Sequence, residues 1–303
     1  MKRVVVLGAG GMLAHKLCAD LPARGFDILA VFRQPAERYA RYEDVFGRVR
    51  TAGGIDAMDW NGLRTLIERE RPFAVVNCVG VIKQLDMANQ RRLAVGLNAY
   101  LPHVLERICG DAGARLVHFS TDCVFSGRKG MYREADVSDA EDTYGRTKYL
   151  GETDGLEGDA VTLRTSIIGR ELRVPVHGLF EWFLAQRGRR IRGFARAIYS
   201  GFPTREMSRI VARVLEREAP LKGVYQVASD PISKYDLLVM IKDMGRYSVE
   251  IERDVDFLCD RSLVMDRFTE DTGYRAPSWD EMIRDMLVDP TPYDAYRQQG
   301  YDA

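Results

Sequence analysis

The first two-thirds of the chain alternate short apolar runs with longer amphipathic stretches, and this pattern constrains the fold more than any other feature. The apolar runs are rich in β-branched or aromatic residues and lie at 4–7, 28–32, 74–79, 116–120 and 160–163. Stretches with helical spacing lie between them, including 15–24, 60–70, 93–112 and 144–151. Strands that alternate with helices predict a parallel sheet covered on both faces. Because crossovers in such a sheet are almost always right-handed, we expect an α/β doubly wound fold.

The pattern is less regular after Thr165, where four prolines between 175 and 231 interrupt it. Helical spacing recurs at 180–186 and 234–244, and the segment 223–228 is typical of a strand. We therefore predict a large domain at 1–170 and a smaller α/β domain at 171–303. The strand near 223–228 is expected to return to the sheet of the first domain.

Composition excludes several classes of protein. The 303 residues are 46% apolar and 29% charged, with a formal net charge of zero, which predicts a soluble globular protein without a nucleic-acid or membrane partner. No apolar stretch approaches the roughly 20 residues that span a bilayer. Only a short apolar run follows Met1, so no signal peptide is expected. The five cysteines form no CxxC pair and the four histidines show no ligand spacing, which predicts reduced thiols, no metal site and a cytoplasmic location.

A glycine-rich segment follows the first apolar run and opens the first strand–helix unit. Its sequence is GAGGMLA, with Gly8, Gly10 and Gly11 ahead of Met12 and Leu13. Gly8 permits a tight turn, and Gly11 permits close approach of the backbone to a phosphate. A helix that begins near Gly11 points its N-terminal amides at a pyrophosphate, so the segment predicts a dinucleotide site of the Rossmann type. A glycine-rich turn without a ligand is the alternative.

The end of the second strand indicates which dinucleotide binds. A fold specific for NAD usually has an acidic residue there, which binds the ribose 2′-hydroxyl. Here the residue is Arg33, which suits a 2′-phosphate, so NADP(H) is expected and NAD(H) is the alternative. Asp56 and Ala57, after the third strand, are expected beside the adenine, although an aspartate in this segment also suits the N-cap of the next helix.

Tyr144 and Lys148 lie four residues apart in TYGRTK, downstream of the hydroxyl residue Thr121. Four residues is about one helical turn, so both side chains share a helix face. The Lys148 ammonium is expected to lower the pKa of the Tyr144 phenol, so that the phenol can deliver a proton to a carbonyl. Of the 14 tyrosines only Tyr144 has a lysine four residues later, in a chain with 8 lysines and 36 arginines. An ordinary pair on a helix face is the alternative.

Several motifs together resemble the extended short-chain dehydrogenase/reductase superfamily. They are GAGGMLA, NCVG at 77–80, Asn98, STDCVF at 120–125, YGRTK at 144–148 and LRTS at 163–166. Within that superfamily the chain is similar to the dTDP-4-dehydrorhamnose reductases and related sugar-nucleotide reductases, up to about Leu287. The resemblance implies NADPH-dependent reduction of a 4-keto group on a nucleotide-activated deoxysugar. It also implies that the first domain binds NADP and the second binds the nucleotide sugar.

The resemblance further implies a role for individual residues. Thr121 would hydrogen-bond the substrate oxygen, Tyr144 would protonate it, and Lys148 would hold the nicotinamide ribose and lower the pKa of Tyr144. The residues implied at the cofactor, besides the glycine segment, Arg33, Asp56 and Ala57, are Tyr144, Lys148, Cys78, Val79, Gly80, Thr165 and Ser166. The residues implied at the substrate are Lys83, Asp122, Cys123 and Val124.

Two positions depart from the family pattern. Cys123 stands where family members often have tyrosine, and Lys83 lies where small residues and a tyrosine are usual. Lys83 is expected to contact a substrate phosphate or carboxylate, with a solvated loop lysine as the alternative. Both departures leave the sugar open and the hydride chemistry unchanged.

A basic run and an aromatic cluster in the second domain each have a ligand interpretation and a structural one. The basic run comprises Arg187, Arg189, Arg190, Arg192 and Arg196. Its arginines suit a nucleotide diphosphate, but a helix end that favours cations and a solvated surface are the preferred interpretation. The aromatic residues Phe180, Trp182 and Phe183 are predicted to belong to the core.

Three functions stay under consideration. They are the keto reductase, an NAD-dependent sugar-nucleotide epimerase or dehydratase, and a non-catalytic regulatory subunit that binds a dinucleotide. No glutamate follows Asp122, which argues against dehydration, and the presence of Thr121, Tyr144 and Lys148 together favours catalysis. The tail 290–303 either crosses to a neighbour in a homodimer or frays. The nucleotide, the sugar and the stereochemistry of the product stay open.

Overall fold

The computed structural model describes residues 1–81 and 91–298. Its strands are β1 (Lys2–Leu7), β2 (Phe26–Val31), β3 (Arg50–Ala52), β4 (Ala74–Asn77), β5 (Arg115–Thr121), β6 (Ala160–Thr165), β7 (Ile167–Ile168), β8 (Arg190–Tyr199), β9 (Phe202–Pro203), β10 (Gly223–Gln226), β11 (Ile232–Ser233) and β12 (Glu250–Asp260). Its α-helices are α1 (Met12–Asp20), α2 (Glu43–Phe46), α3 (Trp60–Glu70), α4 (Arg91–Ala94), α5 (Leu101–Ala112), α6 (Thr143–Leu150), α7 (Leu179–Leu184), α8 (Thr204–Glu216), α9 (Lys234–Gly245), α10 (Asp266–Thr272), α11 (Trp279–Leu287) and α12 (Tyr293–Gln298). A π-helical segment, Val95–Tyr100, joins α4 to α5.

Seven parallel strands form the main sheet in the order β10-β6-β5-β4-β1-β2-β3. The chain order reverses between β1 and β4, and doubly wound sheets bind their ligands at the carboxyl ends of strands beside such a reversal. Gly8 directly follows β1 and Cys78 directly follows β4, so both lie at this point. The α/β doubly wound fold class predicted from the sequence is confirmed. Gly223–Gln226 pairs with β6 at the edge of this sheet.

Alternate residues of the central strands pack into separate cores on the two faces of the sheet. Val4 and Val6 of β1 lie in one apolar cluster with Leu17 of α1 and Ile210 of α8. Val5 lies in the opposite cluster, with residues of α3 and α5. Because successive side chains of a strand point to opposite faces, a sheet covered on both sides needs apolar residues at every position. This requirement explains the continuous run VVVL.

A three-stranded sheet in the order β11-β8-β12 lies in the second half of the chain. The expected helix end at the basic run is wrong, because Arg190, Arg192 and Arg196 lie on β8. These three side chains are exposed, whereas Ile191 between the first two is buried. Arg190 also pairs with Glu250 of the neighbouring strand at 2.8 Å. Alternation with a period of two therefore places these cations on the solvent face of a strand.

The aromatic residues at 180–183 and the C-terminal tail were the other features considered in the second half of the chain. In the aromatic cluster Phe180 and Phe183 are buried in the core, whereas Trp182 is 42% exposed. Within 290–298 the tail does not fray, because Tyr293 and Tyr296 are buried against the same chain. No helix in the described part of the chain is long and apolar enough to cross a membrane.

Candidate active site

The glycine segment forms a tight turn between β1 and α1. Gly8 has a φ of +75°, which favours glycine. Its amide donates to the Val31 carbonyl at 3.1 Å, and the Gly11 amide donates to the Gly8 carbonyl at 2.9 Å. Gly11 is the exposed N-cap of α1 and no side chain caps this helix end. The amides of the first turn, which contains Met12 and Leu13, are therefore available to an anion.

The segment after β4 lies directly beside the glycine turn. Cys78 donates its amide to the Leu7 carbonyl at 3.1 Å, and a Cβ on Gly8 would lie 3.1 Å from the Val79 side chain. Val79 is half-buried and Gly80 is exposed. Asn98 of the π-helical segment holds the next residue, accepting from the Val81 amide at 2.8 Å and donating to its carbonyl at 3.0 Å. The glycine turn and the segment after β4 are therefore packed together, and a side chain at position 8 would press on Val79.

The residues expected near the adenosine lie beyond β2 and β3. Arg33 is exposed, and no residue in the described ranges pairs with its guanidinium. The Asp56 carboxylate accepts from the Met58 amide at 2.9 Å. Asp59 is the N-cap of α3, accepting from the Gly62 amide at 3.0 Å. Asp56 is thus not required as the helix cap.

The three expected catalytic residues lie on β5 and α6. Thr121 ends β5, where its hydroxyl donates to the Asp122 carboxylate at 3.0 Å and accepts from the Cys123 amide at 3.1 Å. Tyr144 and Lys148 lie one turn apart on α6, and the Thr121 side chain is near enough to the Tyr144 phenol to lower its pKa. The Lys148 ammonium donates to the backbone carbonyl of residue 119 at 2.5 Å. The structure therefore brings the three side chains to the carboxyl end of β5.

The expected acidification of Tyr144 by Lys148 is not what the structure shows. Burial raises the pKa of the Tyr144 phenol above its usual value, Cys123 and Asp122 raise it further, and the Thr121 hydrogen bond lowers it by less. Burial also lowers the pKa of Lys148 to about 8, against the opposing effect of the Glu152 carboxylate. Sequence spacing could not reveal this, because desolvation depends on what the tertiary structure packs over the pair.

Thr165 and Ser166 lie at the same end of the sheet. Thr165 pairs directly with Thr121 in the register of β5 and β6 and is buried. The Ser166 carbonyl accepts from the Phe202 amide at 2.9 Å, which anchors the short strand β9. Thr165 therefore lies beside Thr121, and Ser166 is the next residue along the chain.

The residues expected at the substrate have different surroundings. Burial raises the pKa of the Asp122 carboxyl, while Arg261 lowers it. Cys123 is half-buried, and its sulfur accepts from the Arg261 guanidinium at 3.6 Å. Val124 is fully buried in a cluster with Phe125, so its side chain does not face the cleft. Lys83 lies outside the described residues.

Two groups were missed by sequence reasoning. The Glu152 carboxylate accepts from Ser120 at 2.6 Å and forms a buried pair with Arg164 at 2.6 Å. Both residues lie inside motifs, YGRTKYLGE and LRTS, but nothing in those motifs indicates that they pair. The second group is Arg261, which donates to the Phe125 carbonyl at 2.8 Å and contacts the Cys123 sulfur. A single arginine in a polar segment carries no signal that could have identified it.

The described residues hold neither a metal-binding cluster nor a disulfide. Across residues 1–81 and 91–298, no group of three or more His, Cys, Asp or Glu side chains is arranged to hold a metal ion. All five cysteines are free thiols.

Comparison with known proteins bears on the family. The family model described as RmlD substrate binding domain matches residues 1–255. The spore coat polysaccharide biosynthesis protein SpsK of Bacillus subtilis is 27% identical over 95% of this chain and 97% of its own length. A dTDP-4-dehydrorhamnose reductase of Streptomyces griseus is 32% identical over 51% of this chain and 45% of that protein. The crystal structure of a dTDP-4-dehydrorhamnose reductase from Bacillus anthracis in complex with NADP has a TM-score of 0.79 at 21% identity, covering 96% of this chain and 100% of that one.

These matches differ in extent. The match to the Streptomyces reductase spans about half the length of that relative, whereas the match to the Bacillus subtilis protein is nearly full-length. The Bacillus anthracis structure shares the fold over almost the whole chain. The resemblance expected from the motifs is confirmed, and the chain belongs to the RmlD family of extended short-chain dehydrogenases/reductases.

Proposed function

We propose that the protein is an NADPH-dependent reductase of a 4-keto group on a nucleotide-activated deoxysugar. The observation that carries the proposal is the grouping of Thr121, Tyr144 and Lys148 at the carboxyl end of β5. The glycine turn follows β1 at the same edge of the same parallel sheet. Relatives named as reductases of dTDP-linked keto sugars support it. The full-length match to a polysaccharide biosynthesis protein agrees with a sugar-nucleotide substrate.

The chain's residues would divide the chemistry as follows. The Thr121 hydroxyl hydrogen-bonds the carbonyl oxygen, and the Tyr144 phenol transfers its proton to that oxygen. Because its pKa is raised, the phenol carries this proton throughout the neutral range. Lys148, with a pKa of about 8, is mostly charged at neutral pH and stabilises the phenolate that remains. A reduced nicotinamide held beside these residues would supply the hydride for the carbonyl carbon.

The glycine turn suits a dinucleotide. Its positive φ at Gly8 favours glycine, and the uncapped N-terminus of α1 presents amides to a diphosphate. Cys78, Val79 and Gly80 follow β4 beside this turn, in keeping with their expected place at the cofactor. Arg33 favours NADP(H), with NAD(H) as the alternative.

The substrate would enter on the side of Asp122 and Cys123. Arg261 adds a cation to this side. The contact of Lys83 with the substrate stays a prediction from the sequence. The Val124 side chain is fully buried and is not available to the substrate. Homodimerisation and a cytoplasmic location stay part of the proposal.

The test is a spectrophotometric assay of NADPH oxidation with dTDP-4-keto-6-deoxysugars. The Tyr144→Phe variant is expected to lose about 10²- to 10⁴-fold in kcat, the usual contribution of a positioned general acid. Tyr149→Phe is the matched control, because Tyr149 is an exposed tyrosine on the same helix. Full turnover by Tyr144→Phe would remove this residue from the mechanism. Binding of NADPH without turnover of any keto sugar would favour the regulatory subunit, and interconversion of epimers without net NADPH oxidation would favour the epimerase.

A further inference from the structure

A segment from the second half of the chain lies over the glycine turn. A Cβ on Gly10 would lie 3.3 Å from Cδ of Arg173 and 2.9 Å from the Tyr39 ring. Tyr39 is buried and stacks on Phe32 with ring centroids 3.8 Å apart. The aliphatic part of Arg173 is therefore packed against the backbone that precedes the N-terminus of α1.

The segment that carries Arg173 is anchored on both sides of it. The Leu172 carbonyl accepts from the Tyr42 hydroxyl at 3.3 Å, and the Leu172 side chain is 2% exposed. The Glu171 carboxylate accepts from the amides of His177 and Gly178 at 2.9 and 2.6 Å. The backbone on each side of Arg173 is thus positioned by hydrogen bonds before any ligand arrives.

The guanidinium of Arg173 differs from that of its neighbour Arg170. Arg170 pairs with Glu181 at 2.9 Å and with Asp294 at 2.5 Å. Arg173 is exposed, and within the described residues no carboxylate pairs with it. A long side chain with its stem packed and its charge left in solvent is available to an anion.

We propose that Arg173 binds the diphosphate of the dinucleotide from above, opposite the amides of α1, so that the second half of the chain closes over the cofactor. This inference rests on the proposed function. Gly10 immediately precedes Gly11, the N-cap whose helix amides face the diphosphate. A planar guanidinium donates two parallel hydrogen bonds to phosphate oxygens, which fits a group bridged between a helix N-terminus and a cation. Arg33, at the end of β2, is left to recognise the 2′-phosphate.

The test measures dissociation constants of NADPH and of NADH by isothermal titration calorimetry, which does not depend on turnover. Arg173→Ala is expected to weaken both dinucleotides by a similar factor, roughly ten- to a hundredfold, the range of a charge-assisted hydrogen bond. Arg173→Lys should recover part of the loss. Arg107→Ala is the control, because Arg107 is an exposed arginine of α5 without an ion pair in the described part of the chain.

Other outcomes would overturn the inference. Weakening of NADPH alone would assign Arg173 to the 2′-phosphate instead, and unchanged affinity for both would exclude a contact. Because Arg173 is exposed, its variants are expected to melt at the temperature of the wild type, so loss of folding is separable from loss of binding. If the wild type binds neither dinucleotide, the proposed function fails together with this inference. If the wild type binds them and the Arg173 variants have the same dissociation constants, the inference alone fails.

Discussion

Two sets of largely buried polar groups lie near the glycine turn and the carboxyl end of β5, and they are assembled differently. The proposed catalytic cluster comprises Ser120, Thr121, Tyr144, Lys148 and Glu152. The tail contact joins His15 and Lys16 of α1 to Tyr293 and Asp289. In the catalytic cluster the partners are close in sequence: Lys148 and the carbonyl it contacts are 29 positions apart, and Ser120 and Glu152 are 32 apart. In the tail contact His15 and Tyr293 are 278 positions apart. Lys16 and Asp289 are 273 apart.

The two regions also differ in how well their polar groups are satisfied. Both ring nitrogens of His15 are hydrogen-bonded, to the Gly11 carbonyl at 3.0 Å and the Tyr293 hydroxyl at 2.8 Å. Lys16, although 1% exposed, contacts Asp289 at 3.0 Å and Asp20 at 3.7 Å. In the catalytic cluster Lys148 is also buried, but it contacts a backbone carbonyl at 2.5 Å and, within the described residues, forms no ion pair. Burial shifts pKa values in both regions, that of His15 as well as those of Tyr144 and Lys148. We therefore expect the tail contact to stabilise the fold around the glycine turn, and the proposed catalytic cluster to serve proton transfer rather than stability.

The largest expected effect comes from breaking the tail contact at Asp289. Asp289→Ala removes the nearer of the two carboxylates beside the buried Lys16, with Asp20 left at 3.7 Å, and is expected to lower the free energy of unfolding by about 3–5 kcal/mol. The measurement is urea denaturation followed by circular dichroism. Asp280→Ala is the control, because the Asp280–Arg284 pair is exposed and its loss is expected to cost less than about 1 kcal/mol.

A second variant keeps this prediction testable if Asp289→Ala does not fold. The double change Lys16→Met with Asp289→Leu replaces the ion pair by apolar groups and is expected to restore most of the stability. In folded protein kcat should stay near the wild-type value. Equal stability losses for the Asp289 and Asp280 variants would contradict the distinction between the two regions.

The next effect concerns acid stability and His15. Burial lowers the pKa of His15 from 6.5 to about 4, with Lys16, Asp289 and Glu181 among the charges around it. Because the unfolded state binds the proton at higher pH, His15 contributes stability that is present above pH 6.5 and is lost as the pH falls toward about 4. In His15→Gln the decrease in unfolding free energy across that window is expected to be smaller by about 3 kcal/mol.

The measurement for His15 is a series of urea denaturation curves at pH 4 to 7 for the wild type and the variant. Burial lowers the pKa of His118 as well, so the difference between the two proteins, rather than either slope alone, isolates His15. Parallel pH dependences for the two proteins would contradict the burial of a neutral His15.

The smallest expected effect is a fall in kcat/KM at alkaline pH, which tests the proposed role of Lys148 in the catalytic cluster. If the Lys148 ammonium is required, kcat/KM should fall above pH 8, approaching tenfold per pH unit. Lys148→Arg stays charged, so its kcat/KM should be lower but should not fall up to pH 10. An unchanged decline in Lys148→Arg would assign it to another group.

Unfolding does not account for this decline. The pKa of Lys148 is lower in the folded than in the unfolded state, so the unfolded state binds more protons between about 8 and 10.5. Loss of the Lys148 proton therefore raises stability with pH in that window. Melting temperatures recorded across the same buffers separate the two effects.

Much of the fold and part of the site could be predicted from short stretches of sequence. The run at 60–70 coincides with α3, and the run 144–151 differs from α6 by one residue at each end. The apolar runs at 4–7 and 74–79 overlap β1 and β4. The strands β8 and β12 were missed because their arginines and acidic residues conceal an alternation that becomes visible only when the two strands pair. The role proposed for Arg173 could not be predicted for a related reason. Arg173 and Gly10 are 163 positions apart in the sequence, and only the tertiary structure brings them together.

The sequence by itself determined the doubly wound sheet, the glycine turn and the positions of the tyrosine and lysine on one helix, because each depends on spacing within a few residues. Tertiary structure alone decided the direction in which the pKa of Tyr144 shifts, the burial of His15 and Lys16 under the tail, and the approach of Arg173 to the glycine turn. Desolvation and ion pairing depend on which distant segments exclude water from a group, and no local pattern of residues contains that information.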